Sequence, residues 1–261
     1  MASTRNPMPR PVTSLAGYLA AVERVVAKLS PDRDFFPWFR GHTNGEWALV
    51  PGIYRADNRR FQDEDDFRDD FRRRAWPYLR GVAHEPSSDW EWYFLMQHQG
   101  LPTRLLDWSE SALVSLFFAT SNMDTVNNPA VWVLNPWSLN HRVAKKGDVI
   151  LSPSEPKTVR YLLERFTRKP LPPYPIVIEP PLKSNRIAAQ KGVFTLHGRN
   201  VKALERYAAL KPYLLKIEIS RKKVPELRDQ LLVAGLTETT VFPELPALSR
   251  ELLAYWRPPE R

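Results

Sequence analysis

The segment Ser111–Ser121, "SALVSLFFATS", limits the possible folds more than any other in this 261-residue chain. Leu113, Leu116, Phe117 and Phe118 leave no polar stripe wide enough to face water, so the segment predicts a helix buried in the core. Yet it follows "GLPTRLLDW", a connection that sets Arg104 and Asp107 directly against that interior. Charge placed there needs a partner or a ligand. Asp107 followed by Glu110 has the spacing of a capping box, so Asp107 is expected either to cap the buried helix or to neutralise Arg104 three residues away.

Other elements are laid out irregularly around this helix. Helical periodicity behind Thr13 and Ser14 predicts a first helix over 15–29, and "FFPWFRGH" reads as a short apolar strand that delivers Arg40 and Gly41 at its end. The segment "QDEDDFRDDFRRRAWPYL" opens with acids and ends with arginines, as the helix dipole favours, and Phe67, Phe71 and Trp76 are expected on its inner side. "WEWYFLMQHQG" is a further helix stopped by Gly100. Strands are expected at 130–136, 174–181, 192–197, 213–220 and in "TTVF", with helices over 157–168, in "VPELRDQLLVAG" and in "PALSRELLAYW". The order is not a repeated βαβ unit. It predicts an α+β fold in one domain, residues 13–256, with a mixed, largely antiparallel sheet and flexible tails at 1–12 and 257–261.

Composition narrows the chemistry. With no cysteine there are no disulfides or thiolate zinc sites, and five scattered histidines do not suggest a metal centre. No apolar run is long enough for a membrane span or a secretory signal, so a cytoplasmic protein with no membrane partner is expected. The net charge of +9 favours anionic partners, and 26 of the 38 basic residues are arginine, whose planar fork suits phosphate or carboxylate. Dinucleotide-fold glycines, a phosphate-binding loop, a serine elbow and a zinc-protease motif are all missing from the sequence.

The motifs "WFRGH" (38–42), "LVPGIYR" (49–55), "QHQGLPTRLLDWSESALVSLFFA" (97–119), "NRIAAQKGVFTLHG" (185–198) and "TTVFPEL" (239–245) occur in an order that resembles the FRG domain family, named for a Phe-Arg-Gly run. The resemblance covers roughly residues 35–250. More distantly, the chain is similar to ADP-ribosyltransferase folds. This second resemblance implies a split sheet with NAD in its cleft, an early-strand Arg (here Arg40) and a late acid, at whose position Gln190 stands. Glutamine hydrogen-bonds a ribose hydroxyl but cannot stabilise a cationic centre by charge. Either another acid, such as Glu179, serves, or the nucleotide is bound without transfer.

Several residues carry two readings. Arg40 is either a strut paired with Asp107 or a grip on ligand, and Arg104 is either Asp107's partner or a pyrophosphate clamp. His98 is a core histidine or a cleft edge, and Tyr54 is a core aromatic or a stacking platform. Arg186 and Gln190, four apart, share one face of a helical turn, while Asp107 and Trp108 form a supporting layer. The leading expectation is a domain that binds NAD or a related nucleotide and transfers or cleaves ADP-ribose. Such a domain would be a bacterial toxin or antiphage effector, with a protein or nucleic-acid acceptor and an antitoxin or accessory partner. The alternative is a nucleic-acid-interacting module without catalysis, but the tryptophans sit inside apolar segments such as "FFPWF" and "AVWVL" instead of interleaving with basic residues.

Overall fold

The computed structural model describes residues 10–29, 35–55, 64–79, 86–122, 126–147, 149–162, 170–181 and 184–256. Residues 1–9 of the expected 1–12 tail, the expected tail at 257–261 and the end of the expected 157–168 helix (163–168) lie outside the described residues. Val12, placed in the N-terminal tail on sequence grounds, is instead tied down. Its N–H donates to Glu218 O at 2.8 Å, and its carbonyl accepts from Ser220 N at 2.8 Å.

Six strands form one antiparallel sheet: β1 (Trp38–His42), β2 (Leu105–Ser109), β3 (Ala130–Leu134), β4 (Ile176–Ile178), β5 (Gly192–Leu196) and β6 (Leu214–Glu218). Their order across the sheet is β4-β5-β2-β1-β3-β6, and every named pair is antiparallel. The architecture is α+β. The joints are unequal, since β1 pairs with β3 from Trp38 to His42 while β1 and β2 meet only at Phe39 and Ser109. The sheet therefore opens between its two central strands.

The helices are α1 (Leu15–Leu29), α2 (Glu64–Ala75), α3 (Asp89–His98), α4 (Ala112–Ala119), α5 (Asn185–Gln190), α6 (Val224–Val233), α7 (Glu238–Val241) and α8 (Leu245–Trp256), with short helical turns between them. Phe39, Val131, Val133 and Ile217 pack with Tyr18 of α1, Leu116 and Ala119 of α4 and Leu227 of α6 in one core. A second core gathers Trp38, Leu106, Trp108, Leu134, Leu204 and Leu210. A third joins α3 to β4 and β5 through Tyr93, Met96, Phe194 and Ile178. The alternation of Trp38 and Phe39 between two cores is the period-two pattern of a strand buried on both faces.

Gly41 decides how closely the central layers approach. A Cβ built there would lie 2.0 Å from Ser115 O and 2.6 Å from Ala119 N, so only glycine lets β1 lie directly on the backbone of α4. Gly100, with φ +83°, ends α3 in the left-handed conformation, and Leu101 N reaches back to Met96 O at 3.1 Å.

Four expectations are corrected. "GLPTRLLDW" is not merely a connection, because residues 105–109 are the strand β2, hydrogen-bonded along its length to β5. Asp107 therefore cannot cap α4. The cap is Ser111, whose hydroxyl accepts from Val114 N at 3.3 Å. "TTVF" is not a strand, since Thr237 caps a helical turn, Glu238–Val241, in a reciprocal box with Thr240. Trp76 leaves the end of α2 in a 3-10 turn and is 49% exposed. The helix α4 buries Val114, Ser115, Leu116 and Ala119, while Leu113, Phe117 and Phe118 are half-buried.

Candidate functional site

Where β1 and β2 part, the surface opens into a cavity of about 1040 Å³. Its walls come from β1 and the turn after it, the 52–55 segment, the loop from α3 into β2, and α5. Arg40 crosses the gap. Its Nη1 donates to Asp107 O at 2.5 Å and lies 3.7 Å from Asp107 Oδ2, and its Nε donates to His42 Nε2 at 3.0 Å. In this way Arg40 bridges two strands whose backbones pair only at Phe39 and Ser109.

Burial sets the electrostatics. It lowers the Arg40 pKa to about 10, opposed by Asp107 and reinforced by Arg55. His42 is pushed down to about 3 by burial and by the charges of Arg40 and Arg55, so its imidazole is neutral near pH 7 and accepts from Arg40. Arg40, Arg55 and Arg186 all line the cavity, and Asp107 is the one carboxylate among the described lining residues. The interior is cationic, a setting for anions.

Asp107 stands at the middle of this wall with its side chain 57% exposed. Gln97 Nε2 donates to Oδ1 at 2.9 Å, and Gln97 Oε1 accepts from Thr103 at 2.5 Å, so the amide's orientation is set by two partners. Trp108, next along β2, points its indole N–H to Thr195 at 3.1 Å from within the second core. Tyr54 lines the cavity and donates to Gly198 O at 2.7 Å. Arg186 and Gln190 face the cavity from α5, braced by the following elements: the Arg186 guanidinium lies 4.8 Å over the Phe242 ring and 3.9 Å from Glu244, and Gln190 Nε2 donates to Val241 O at 3.2 Å.

Three sequence candidates fall elsewhere. Arg104 does not line the cavity and does not pair with Asp107. Its guanidinium donates to Glu64, Tyr161 O and, at 3.3 Å, His197 O, while its backbone N–H meets Tyr93 at 2.9 Å. Every direction of the fork is taken, so Arg104 ties α2 to the sheet and is no ligand clamp. His98 sits at the end of α3 with Nε2 3.9 Å from Glu244, and its carbonyl accepts from Arg186 at 3.5 Å; it supports the rim from behind. Glu179 lies just past β4, largely open to solvent and away from the cavity walls; partial desolvation and then Glu110 raise its pKa.

Sequence reasoning missed His42, Gln97, Arg55 and Trp47, all of which line the cavity. His42 was signalled by its place two residues after Arg40, on the same strand face. Gln97 had no comparable signal, because its role depends on Asp107 lying across from α3. Among the described residues, no group of three or more His, Asp or Glu side chains is placed to hold a metal ion, and no helix is long and apolar enough to cross a membrane.

No curated protein and no solved structure matches the chain. The model of the FRG domain matches residues 37–128, from the start of β1 to just before β3, so "NRIAAQKGVFTLHG" and "TTVFPEL" lie outside the match. The strands that part, the arginine that spans them and the glycine that seats β1 on α4 all fall within it: residues 37–128 are an FRG domain.

Proposed function

We propose that this cavity binds NAD or a related nucleotide. The observation that carries the reading is the convergence of three arginines, Arg40, Arg55 and Arg186, on one concavity that also exposes the rings of Trp47 and Tyr54. Its volume of about 1040 Å³ is at the upper end for small-molecule sites, as a dinucleotide requires. Guanidinium groups suit the pyrophosphate, the aromatic rings suit a base or pyridinium face, and the amide of Gln190 suits a ribose hydroxyl. Carried through to chemistry, the reading is cleavage of NAD or transfer of its ADP-ribose. On this reading the domain would act as a toxin or antiphage effector.

Thermal-shift and calorimetric titrations with NAD, ADP-ribose and ATP test this. A nucleotide at a hundred times its Kd adds about 2.7 kcal/mol to the stability of the wild type. Arg40→Ala is expected to weaken binding by roughly 10-fold to 100-fold, the loss of a charge-assisted hydrogen bond. A single-stranded oligonucleotide belongs in the same series. Binding of the oligonucleotide but of no nucleotide overturns the reading in favour of a nucleic-acid module.

A further inference from the structure

We infer that Asp107 is the catalytic carboxylate of the cavity, acting as general base in the hydrolytic cleavage of a nicotinamide nucleotide; the inference rests on the nucleotide reading above. Three observations lead there. Asp107 is the one carboxylate among the described cavity residues, so among them it alone can accept a proton or stabilise a cationic sugar by charge. The acid and the acid substitute suggested by sequence are unsuited to this role: Glu179 lies off the cavity walls, and Gln190 is uncharged, so it can hydrogen-bond but neither take up the proton nor offset positive charge.

The third observation is the manner in which Asp107 is held. Gln97 donates to Oδ1 at 2.9 Å, Arg40 stands 3.7 Å from Oδ2 and donates to the residue's own carbonyl, and β2 pairs Asp107 with Phe194 of β5. The backbone and one oxygen are located, yet the side chain is 57% exposed toward the opening between β1 and β2. Rigid placement with an open lone pair is the arrangement a general base needs. A carboxylate serving only as a strut would be expected to spend both oxygens on close donors and exclude water.

The step balances with water as the co-reactant. The C1′–N bond of the nicotinamide ribose breaks, and its electron pair goes to the pyridinium nitrogen, which leaves as neutral nicotinamide. A water oxygen forms the new bond to C1′ as one of its protons passes to Asp107 and then to solvent. The products are ADP-ribose, nicotinamide and a proton. Arg40 and Arg186 hold phosphate in this scheme, and Gln97 keeps the carboxylate aimed.

The experiment is nicotinamide release from NAD, measured by chromatography alongside calorimetric binding of ADP-ribose, for wild type, Asp107→Asn and Asp107→Ser. A base in this role contributes about 100-fold to 10,000-fold. Both variants should lose at least about 100-fold in turnover while ADP-ribose affinity stays within about threefold. Two differently shaped substitutions guard against one failing to fold. Full turnover in either variant overturns the assignment, and so does loss of affinity equal to loss of rate, which would make Asp107 a binding residue. A wild type that binds NAD but releases no nicotinamide also overturns it and leaves the nucleotide reading standing. A wild type that binds no nucleotide overturns the reading itself.

Discussion

Arg104 and Asp107 are three residues apart in an extended segment, and residues at that spacing point to opposite faces. One becomes a buried strut and the other an open cavity wall. Glu64→Gln, which leaves Arg104 buried with a neutral partner, is expected to cost about 3–5 kcal/mol in chemical denaturation, whereas Asp107→Asn should cost less than about 1 kcal/mol. With no partner in common, Arg104→Lys and Asp107→Asn should be additive within about 0.5 kcal/mol. Two histidines give the stability its pH dependence. His197, buried beside Arg104, and His42 are both pushed down to about 3, by burial first and neighbouring arginines next. The unfolded chain binds protons at these sites below its ordinary histidine range while the folded chain does not. Their stabilisation is therefore complete above about pH 6.5 and is lost as pH falls toward 3. Melting curves between these limits should show a shallower acid limb in His197→Gln than in the wild type.

At the level of elements, the contact between β1 and α4 governs the centre of the molecule. Gly41→Ala places a methyl 2.0 Å from a backbone oxygen that belongs to a buried helix and cannot swing aside. A loss of more than about 2 kcal/mol is expected, seen as a lower midpoint in denaturant with the slope unchanged. Ser111→Ala removes the cap of the same helix and should cost about 1 kcal/mol, a value that Asp107→Ala would match only if the aspartate were the cap.

Across the whole molecule, the C-terminal elements act on the cavity from outside it. Phe242 lies between Arg186 and the rings of Phe117 and Phe118, and Val241 O and Glu244 hold the other contacts of α5. Removing the ring frees Arg186 without touching any ligand. Phe242→Ala is therefore expected to lower nucleotide affinity by about twofold to fivefold, the worth of one exposed cation–π contact, with turnover at saturation unchanged. Calorimetry and saturating-substrate rates measure the two separately.

The extent to which the sequence determined this protein follows the range of the forces involved. The helix α1 is legible to the residue as 15–29 because its cap and its apolar periodicity are local, and the stop of α3 at Gly100 is legible for the same reason. The Phe-Arg-Gly run was visible; of Arg40, Arg104 and Gln190, considered together for one pocket on sequence grounds, Arg40 and Gln190 line the cavity and Arg104 does not. β2 was not legible. A short central strand buried on both faces and interrupted by a charge shows no alternation, and its partner β5 is more than 80 residues away. "TTVF" misled because β-branched residues favour strands, while the cap that makes it helical begins two residues earlier, at Thr237. Arg104 was assigned the nearest acid in sequence, but the tertiary structure gave it Glu64, 40 positions away. Local pattern decided segments whose signals are short-range, such as α1 and the stop of α3; only the assembled sheet decided where β2 runs and which charges meet, because burial makes each buried charge find a partner wherever the chain brings one.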